Sequence, residues 1–293
     1  MNQGSPSCAN CTNSDYVTFK FRVNRFNIYF CKTCQNGFTY PMPKNISKYY
    51  HSNYWISPGI IGITKNFIFN LFHARRKNWL QKYLSSGDIL EVGAGEGNFE
   101  KSLNKNYLVT GIELPGSKIK NRSILKVNFL KWKTNKKFDA VIFWESLEHV
   151  RTPKKYLEKS YALLKTNGLI FIEYPRFNCL ESRLFGKHWF HLDPPRHLAH
   201  LTDKGLRTLL LQTHFKPVLA KSILAFEYTI WGYIESFLDI FGVKSTDYIK
   251  KRGVVFSLIL LLPIVFLSFI AETIFLLINQ SPIGFMLAEK KNG

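Results

Sequence analysis

Two Cys-x-x-Cys pairs, Cys8/Cys11 and Cys31/Cys34, stand near the start of the chain. Each pair brings two sulfurs onto one centre through a tight turn, and their separation fits a tetrahedral zinc site. Four thiolates leave no open position, so the metal expected there is structural zinc. Cys179 stands alone and reads as a buried, inert thiol. A second signal is "DILEVGAGEGNF", Asp88 to Phe99, where an apolar strand enters a turn with Gly93, Gly95 and Gly97 before a helix begins. Glycines there let the backbone turn tightly and approach a ligand, and a helix N-terminus favours polar or negative groups. A third is the stretch holding His188, His191, His197 and His200 around Arg196, together with the earlier His149. Imidazole near its ordinary pKa can take a proton or ligate a metal. No carboxylate is fixed beside the histidines by the sequence, which favours proton transfer over metal binding.

These groups need a scaffold, and the sequence supplies one. Aromatic-rich alternating segments, "YVTFKFRV" and "FNIYFCKTC", surround the cysteines and predict short strands. So small a module buries little apolar area, and the metal is expected to supply much of its folding energy. This arrangement resembles a zinc ribbon over residues 1–39, followed by an aromatic linker, 40–63, that packs on the next domain. Tyr49, Tyr50, Tyr54 and Trp55 fall in that linker. From Thr64 to Leu84 apolar residues recur at helical spacing.

The glycine turn departs from the dinucleotide fingerprint G-x-G-x-x-G, because the third glycine comes one residue early. With Glu91 ahead of it, E-x-G-x-G-x-G resembles motif I of the class I S-adenosylmethionine-dependent methyltransferases. The resemblance continues in order. "YLVTGIELPG" is a second strand ending at Glu113, where these enzymes place an acid for the ribose hydroxyls. "SILKVN" is a third, ending at Asn128 near the expected adenine. "FDAVIFWES" is a fourth, ending at Glu145 beside the expected methionine moiety. "LEHV" then carries His149. Thr152 and Pro153 are expected to start a helix that ends on Gly168, and "LIFIEYP" is a fifth strand. Asp139 is expected to orient backbone rather than bind cofactor. The resemblance spans about Lys65 to Phe226 plus the last residues. It implies an α/β, Rossmann-like, seven-stranded methyltransferase sheet, with S-adenosylmethionine at the carboxyl ends of the strands.

"HWFHLDPPRHLAHLT" before the last helix resembles a segment of bacterial methyltransferases that carry an N-terminal zinc ribbon (methyltransferase type 11/23-like), many linked to surface-glycan or lipid-linked sugar pathways. The resemblance implies that it covers the active-site mouth, with Arg196 pairing an anionic substrate group and His197 or His149 accepting a proton. "DPPR" is misplaced for the amino-methylation motif, which belongs where this chain has "FWES".

The methyltransferase domain is placed at 64–226, a hydrophobic insertion at 227–282 and the final strand at 283–293. That strand is expected to run antiparallel between strands five and six. Val254 to Ile278 holds a single acid, Glu272. As one helix it would reach about 37 Å, but one crossing strands the last segment on the wrong side of a bilayer. Pro263 is expected to bend it into two arms that dip into one leaflet, with Lys244, Lys250, Lys251, Arg252, Lys290 and Lys291 on its flanks. A single span and a buried helix are the alternatives. The 46% hydrophobic composition excludes global disorder, and the net charge of +20 favours an anionic partner. No secretory signal is visible, so the expected place is the cytoplasmic side of the inner membrane. The expected activity is O-methylation of a membrane-proximal small molecule, such as a glycan, sugar or lipid-linked intermediate, at an anionic membrane surface. The alternatives are RNA methylation, which leaves the apolar stretch without a role, and a zinc-ribbon scaffold, which leaves the glycine loop and Glu113 without one.

Overall fold

The computed structural model describes residues 6–11, 16–49, 60–244 and 254–291. Tyr50, Tyr54 and Trp55 lie outside them. After helix α1 (Ile60–Tyr83), strand and helix alternate: β4 (Gly87–Val92), α2 (Asn98–Ser102), β5 (Tyr107–Glu113), β6 (Leu125–Lys126), β7 (Phe138–Trp144), α3 (Pro153–Leu163) and β8 (Leu164–Pro175). Helix α5 (Asp203–Gln212) leads into β10 (Phe215–Ser222), and β11 (Ile283–Lys290) closes the chain. The seven strands form one sheet in the order β10-β11-β8-β7-β4-β5-β6. Neighbours from β8 to β6 are parallel, and β11 is antiparallel to both its neighbours.

Alternate residues of the central strands feed two cores, as the two-residue strand period requires. Leu90, Val141, Phe143 and Ile172 pack with Leu157, Leu206 and Leu210 on one face. Ile89, Ile142 and Phe171 pack with Leu80 and Phe285 on the other. Both faces are covered, so β7 reads as a nearly continuous apolar run.

Several local expectations are corrected. α3 ends at Leu163, not Gly168, because Leu164 already pairs with Phe138. The register then slips, Asn167 takes the left-handed conformation, and Lys165 reaches Asp88 and Asp139. Thr152 precedes α3, but its carbonyl rather than its side chain accepts from Lys155 and Tyr156. The third strand stops at Lys126, since Asn128 begins a turn whose amides from Lys131 and Trp132 point back at it.

Between β10 and β11 lie α6 (Phe226–Ile240) and α7 (Val254–Leu277). They pack through Ile234, Leu238 and Leu261. Helix α7 runs through Pro263 without dividing into two arms; a proline forfeits one backbone hydrogen bond, and the turns on either side persist. Glu272 and Ser268 face inward, whereas Leu262, Phe266, Leu267, Phe269, Ile270 and Ile274 are exposed. Among the described residues no helix is long and apolar enough to cross a membrane. The single-span alternative also fails on topology, because β11 is paired with both β8 and β10.

The N-terminal strands β1 (Val17–Val23), β2 (Phe26–Cys31) and β3 (Asn36–Tyr40) form a second sheet, completed by β9 (Ala199–His200) from the segment before α5. Gly37 pairs with His200 and Phe38 with Ala199. Asn36 Oδ1 accepts from the Thr202 amide at 2.9 Å, and its side-chain nitrogen donates to the Cys34 carbonyl. Thr202 caps α5 by accepting from the Gly205 amide and donates its hydroxyl proton to Gln35 O. Asn36 is fully buried, so its removal leaves an amide unsatisfied. Asn36→Ala is expected to lower stability by about 1–3 kcal/mol, read as a lower urea midpoint with unchanged slope. An unchanged midpoint would show that this junction contributes nothing.

Candidate functional site

The ends of β4, β5 and β7 converge on one edge of the sheet. At Gly93 (φ +84°) a side chain would meet the Cβ of Ser146 at 2.5 Å. Ser146 donates to the Val92 carbonyl at 2.6 Å, so β4 and the exit from β7 touch at a point where only glycine fits. Gly95 (φ +52°) is different: no atom lies within 4 Å of where its Cβ would be. That face of the loop is open for a ligand to approach the backbone. Gly97 starts α2 in the left-handed region, beside Asn121.

Glu113, at the end of β5, binds the loop from the other side. Its two carboxylate oxygens accept from the Gly95 amide at 3.1 Å and the Leu114 amide at 2.8 Å. Each oxygen has a further lone pair. Asn128 Oδ1 accepts from the Lys131 amide at 3.3 Å, which leaves its amide nitrogen as the donor it offers.

Beneath the loop, acids outnumber cations. Glu91 is buried, and among the described residues its Oε2 has no hydrogen-bond partner. Burial pushes its carboxyl up to about 8; Arg76 opposes this, and Glu100 and Glu113 add to it. Glu145 lies just past β7 with φ +53°, its amide donating to the Glu173 carbonyl. Burial, with Glu173 next, pushes the Glu145 carboxyl up to about 8 as well. Glu173 is instead held below the usual carboxylate range: burial would raise it, but Arg76 and Arg75 outweigh that. Both arginines from α1 reach it, Arg75 at 3.1 Å and Arg76 at 2.5 Å. Sequence reading missed this pair because Arg75 and Arg76 stand in a helix far from the quoted motifs. Asp139 accepts from the Asp88 amide and pairs with Lys165, a backbone-orienting role.

The histidines lie past the end of β7. A 3₁₀ turn, Leu147–His149, places His149 so that its Nδ1 is 2.9 Å from the Arg196 carbonyl. His197 Nδ1 is 2.7 Å from the His191 carbonyl. A carbonyl can only accept, so both rings carry Nδ1–H, and their acceptor nitrogen is Nε2. The rings meet edge to face, 4.7 Å between centroids. Burial lowers His149 to about 3 and His197 to about 4, which corrects the expectation of imidazoles near their ordinary value; both are neutral at pH 7. Arg196 is paired with Asp193 at 2.7 Å, so the guanidinium already has a carboxylate partner within the protein. His200 belongs to the sheet junction: Thr39 donates to the His197 carbonyl and accepts from His200 Nε2. His188 pairs with Asp239. Cys179 is buried, caps the short helix Leu180–Phe185 and is pushed up by burial, as befits an inert thiol.

The four N-terminal cysteines gather as their spacing implies. Cys8 and Cys34 lie 3.6 Å apart, and Cys11 and Cys31 3.8 Å. Zinc–sulfur bonds of about 2.3 Å give a tetrahedral edge of about 3.8 Å, so the donor set fits the metal.

Residues 67–220 match the family described as "Methyltransferase domain". The chain belongs to this methyltransferase family. A curated relative, the ubiquinone biosynthesis O-methyltransferase of Histophilus somni (strain 2336), is 31% identical over 106 residues, or 30% of this chain and 44% of the relative. The chain thus spans less than half the length of that relative. Among solved structures, a SAM-dependent methyltransferase from Archaeoglobus fulgidus is 18% identical with a TM-score of 0.48, covering 75% of this chain and 93% of that one. The 1,6-didemethyltoxoflavin-N1-methyltransferase of Burkholderia thailandensis is 14% identical with a TM-score of 0.45, covering 94% and 99%.

Glu91 yields a pH test on the ligand-free protein. Its folded-state pKa lies above its ordinary value of 4.5. Its contribution to stability is therefore full below about pH 4.5 and is lost as pH rises through about 8. Glu91→Gln is expected to lose less stability than wild type across that window in urea titrations. Parallel pH profiles would show that the carboxyl is not buried in solution.

Proposed function

We propose that the protein transfers a methyl group from S-adenosylmethionine to a hydroxyl oxygen of a small molecule held at a membrane surface, such as a lipid-linked glycan intermediate. The observation that carries this reading is the pair of imidazoles just past the carboxyl end of β7, each with Nδ1–H held by a backbone carbonyl and Nε2 as its acceptor. When bound, S-adenosylmethionine supplies a methyl group already activated on a sulfonium, so orientation does most of the remaining work. Gly93, Gly95 and Gly97 form the loop against which it packs, and the open face at Gly95 fits that role. Glu113 is the acceptor for its ribose hydroxyls, and Asn128 the donor nearest its adenine. Glu91 and Glu145 underlie its methionine end. A hydroxyl nucleophile must lose a proton, and His149 and His197 face the acceptor as the groups that take up this task. Arg196, with Asp193, holds the segment over the mouth. Similarity to a ubiquinone O-methyltransferase supports an oxygen acceptor.

The membrane part rests on α7. Its exposed side chains from Leu262 to Ile274 are nearly all apolar, while its one acid, Glu272, is turned inward and accepts from Ser281. The lysines and arginine flanking this apolar segment in sequence suit anionic headgroups. RNA has no use for such a face. The cysteine cluster, on the same reading, holds structural zinc.

Three outcomes test this reading. Incubating the protein and tritiated S-adenosylmethionine with cell extract is expected to put label in the lipid or glycan fraction; label in RNA overturns the acceptor class. Glu113→Ala is expected to weaken S-adenosylmethionine binding at least about tenfold by calorimetry, the scale of a charged hydrogen bond. Introducing Phe266→Asp and Leu267→Asp together is expected to weaken sedimentation with anionic vesicles at least about tenfold, since each apolar group contributes about 1.5–3 kcal/mol on burial. Undiminished sedimentation would remove α7 from the membrane contact.

A further inference from the structure

The acceptor side holds one buried acid that the reading above does not use. Glu148 sits in the turn with His149 and is 1% exposed. Among the described residues neither of its carboxylate oxygens has a hydrogen-bond partner. Among the described residues no lysine or arginine bridges it either, and its close ion-pair contact is His149 Nε2 at 3.6 Å. A carboxylate so placed carries a large desolvation cost. We propose that Glu148, His149 and His197 form a binding site for one divalent first-row transition-metal ion, which holds the hydroxyl oxygen of the acceptor.

The geometry carries this. One ligand atom from each residue lies within 4.8 Å of the other two. Bonds of about 2.0–2.2 Å set tetrahedral ligands roughly 3.4 Å apart, so small side-chain rotations bring the three onto one ion. Both rings present Nε2, because each Nδ1–H is spent on a backbone carbonyl, of Arg196 and of His191. That outer hydrogen bond fixes tautomer and ring orientation in the manner usual for metal-bound histidine. The backbone is braced too: the Leu198 amide donates to the Glu148 carbonyl at 2.8 Å, tying the 3₁₀ turn to the segment that carries His197. Two imidazoles and a carboxylate leave coordination positions open, unlike the closed thiolate set in the N-terminal module. The opening is on the His149 side, whose side chain is 25% exposed against 2% for Glu148 and 5% for His197. With an ion bound, both Nε2 lone pairs are committed to it. The imidazoles then act as ligands in place of proton acceptors, and the hydroxyl proton leaves to solvent water on the exposed His149 side. The inference rests on the acceptor being an oxygen nucleophile at the same site, where a cation lowers the pKa of a bound hydroxyl.

The test uses the full chain with zinc in its cysteine module and Co²⁺ alone as the probe. Wild type is expected to take up one Co²⁺ per chain, with visible bands but no thiolate charge-transfer band. Glu148→Gln keeps the shape of the side chain and is expected to weaken uptake about 10–100-fold. His197→Ala is expected to abolish it. Calorimetric binding of S-adenosylmethionine, expected to be unchanged in Glu148→Gln, reports that the fold is intact. No Co²⁺ uptake by wild type, uptake only with thiolate bands, or equal affinity in wild type and Glu148→Gln each overturns the site. Label transfer to lipid without Co²⁺ uptake overturns the metal and leaves the acceptor reading standing. Co²⁺ uptake that depends on Glu148, with label in RNA alone, does the reverse.

Discussion

Everything C-terminal to β10 is governed by one constraint: β11 must lie between two strands that precede it. Its amides and carbonyls are committed on both sides, from Ile283 against Pro175 to Lys290 against Phe215. Arg176, buried at the end of β8, adds a lock. Its guanidinium binds Asp203 at the start of α5 and donates to the carbonyls of Asn279 and Ser281 just ahead of β11. Arg176 is buried while Asp203 is partly exposed, so the contact that matters most is the one that keeps the buried guanidinium partnered. The excursion through α6 and α7 therefore leaves and returns on one side of the sheet. Its apolar surface becomes an appendage of the enzyme's edge instead of a path through a bilayer.

The glycine loop and the acid that meets it were legible because their signals are local. Gly93, Gly95 and Gly97 follow an apolar strand at once, and Glu113 ends the next strand, which pairs with it in parallel register. Asp139 and Cys179 were legible as structural residues because nothing around them in sequence offered a reaction. Local signals failed where long-range pairing overrode them. Gly168 looked like a helix cap, but Leu164 had already been claimed by Phe138. Pro263 looked like a break, yet helix α7 runs through it. The pairing of β3 with β9 joins residues more than 150 positions apart, and only the fold reveals it. Glu148 was part of a quoted motif but had no role there, because its isolation from hydrogen-bond partners is a property of three dimensions.

Charge is distributed by the same logic. The chain carries a large positive excess, but the ground beneath the glycine loop is acidic, with Glu91, Glu145, Glu148 and Glu173 set against Arg75 and Arg76. Only Glu173 has both arginines, and it alone of the four is held ionised below the ordinary range. The others are pushed toward the neutral form by burial. A positively charged sulfonium or a metal cation arriving here meets carboxyl groups whose ionisation it would favour, so binding and proton release are linked.

The junction between the two sheets has a consequence for regulation. Strand β9 follows directly on His197, and its edge is satisfied by β3, which begins two residues after Cys34. The segment carrying His197 thus runs into an edge strand of the cysteine module, and on the proposed reading it is also a wall of the acceptor site. With zinc as the fourfold link of that module, any free energy the metal contributes to folding also restrains His197. On the proposed reading, in which zinc fills the cysteine module and His197 lines the acceptor site, zinc supply and thiol oxidation would act on methyl transfer through strand pairing rather than through any contact with the reacting atoms.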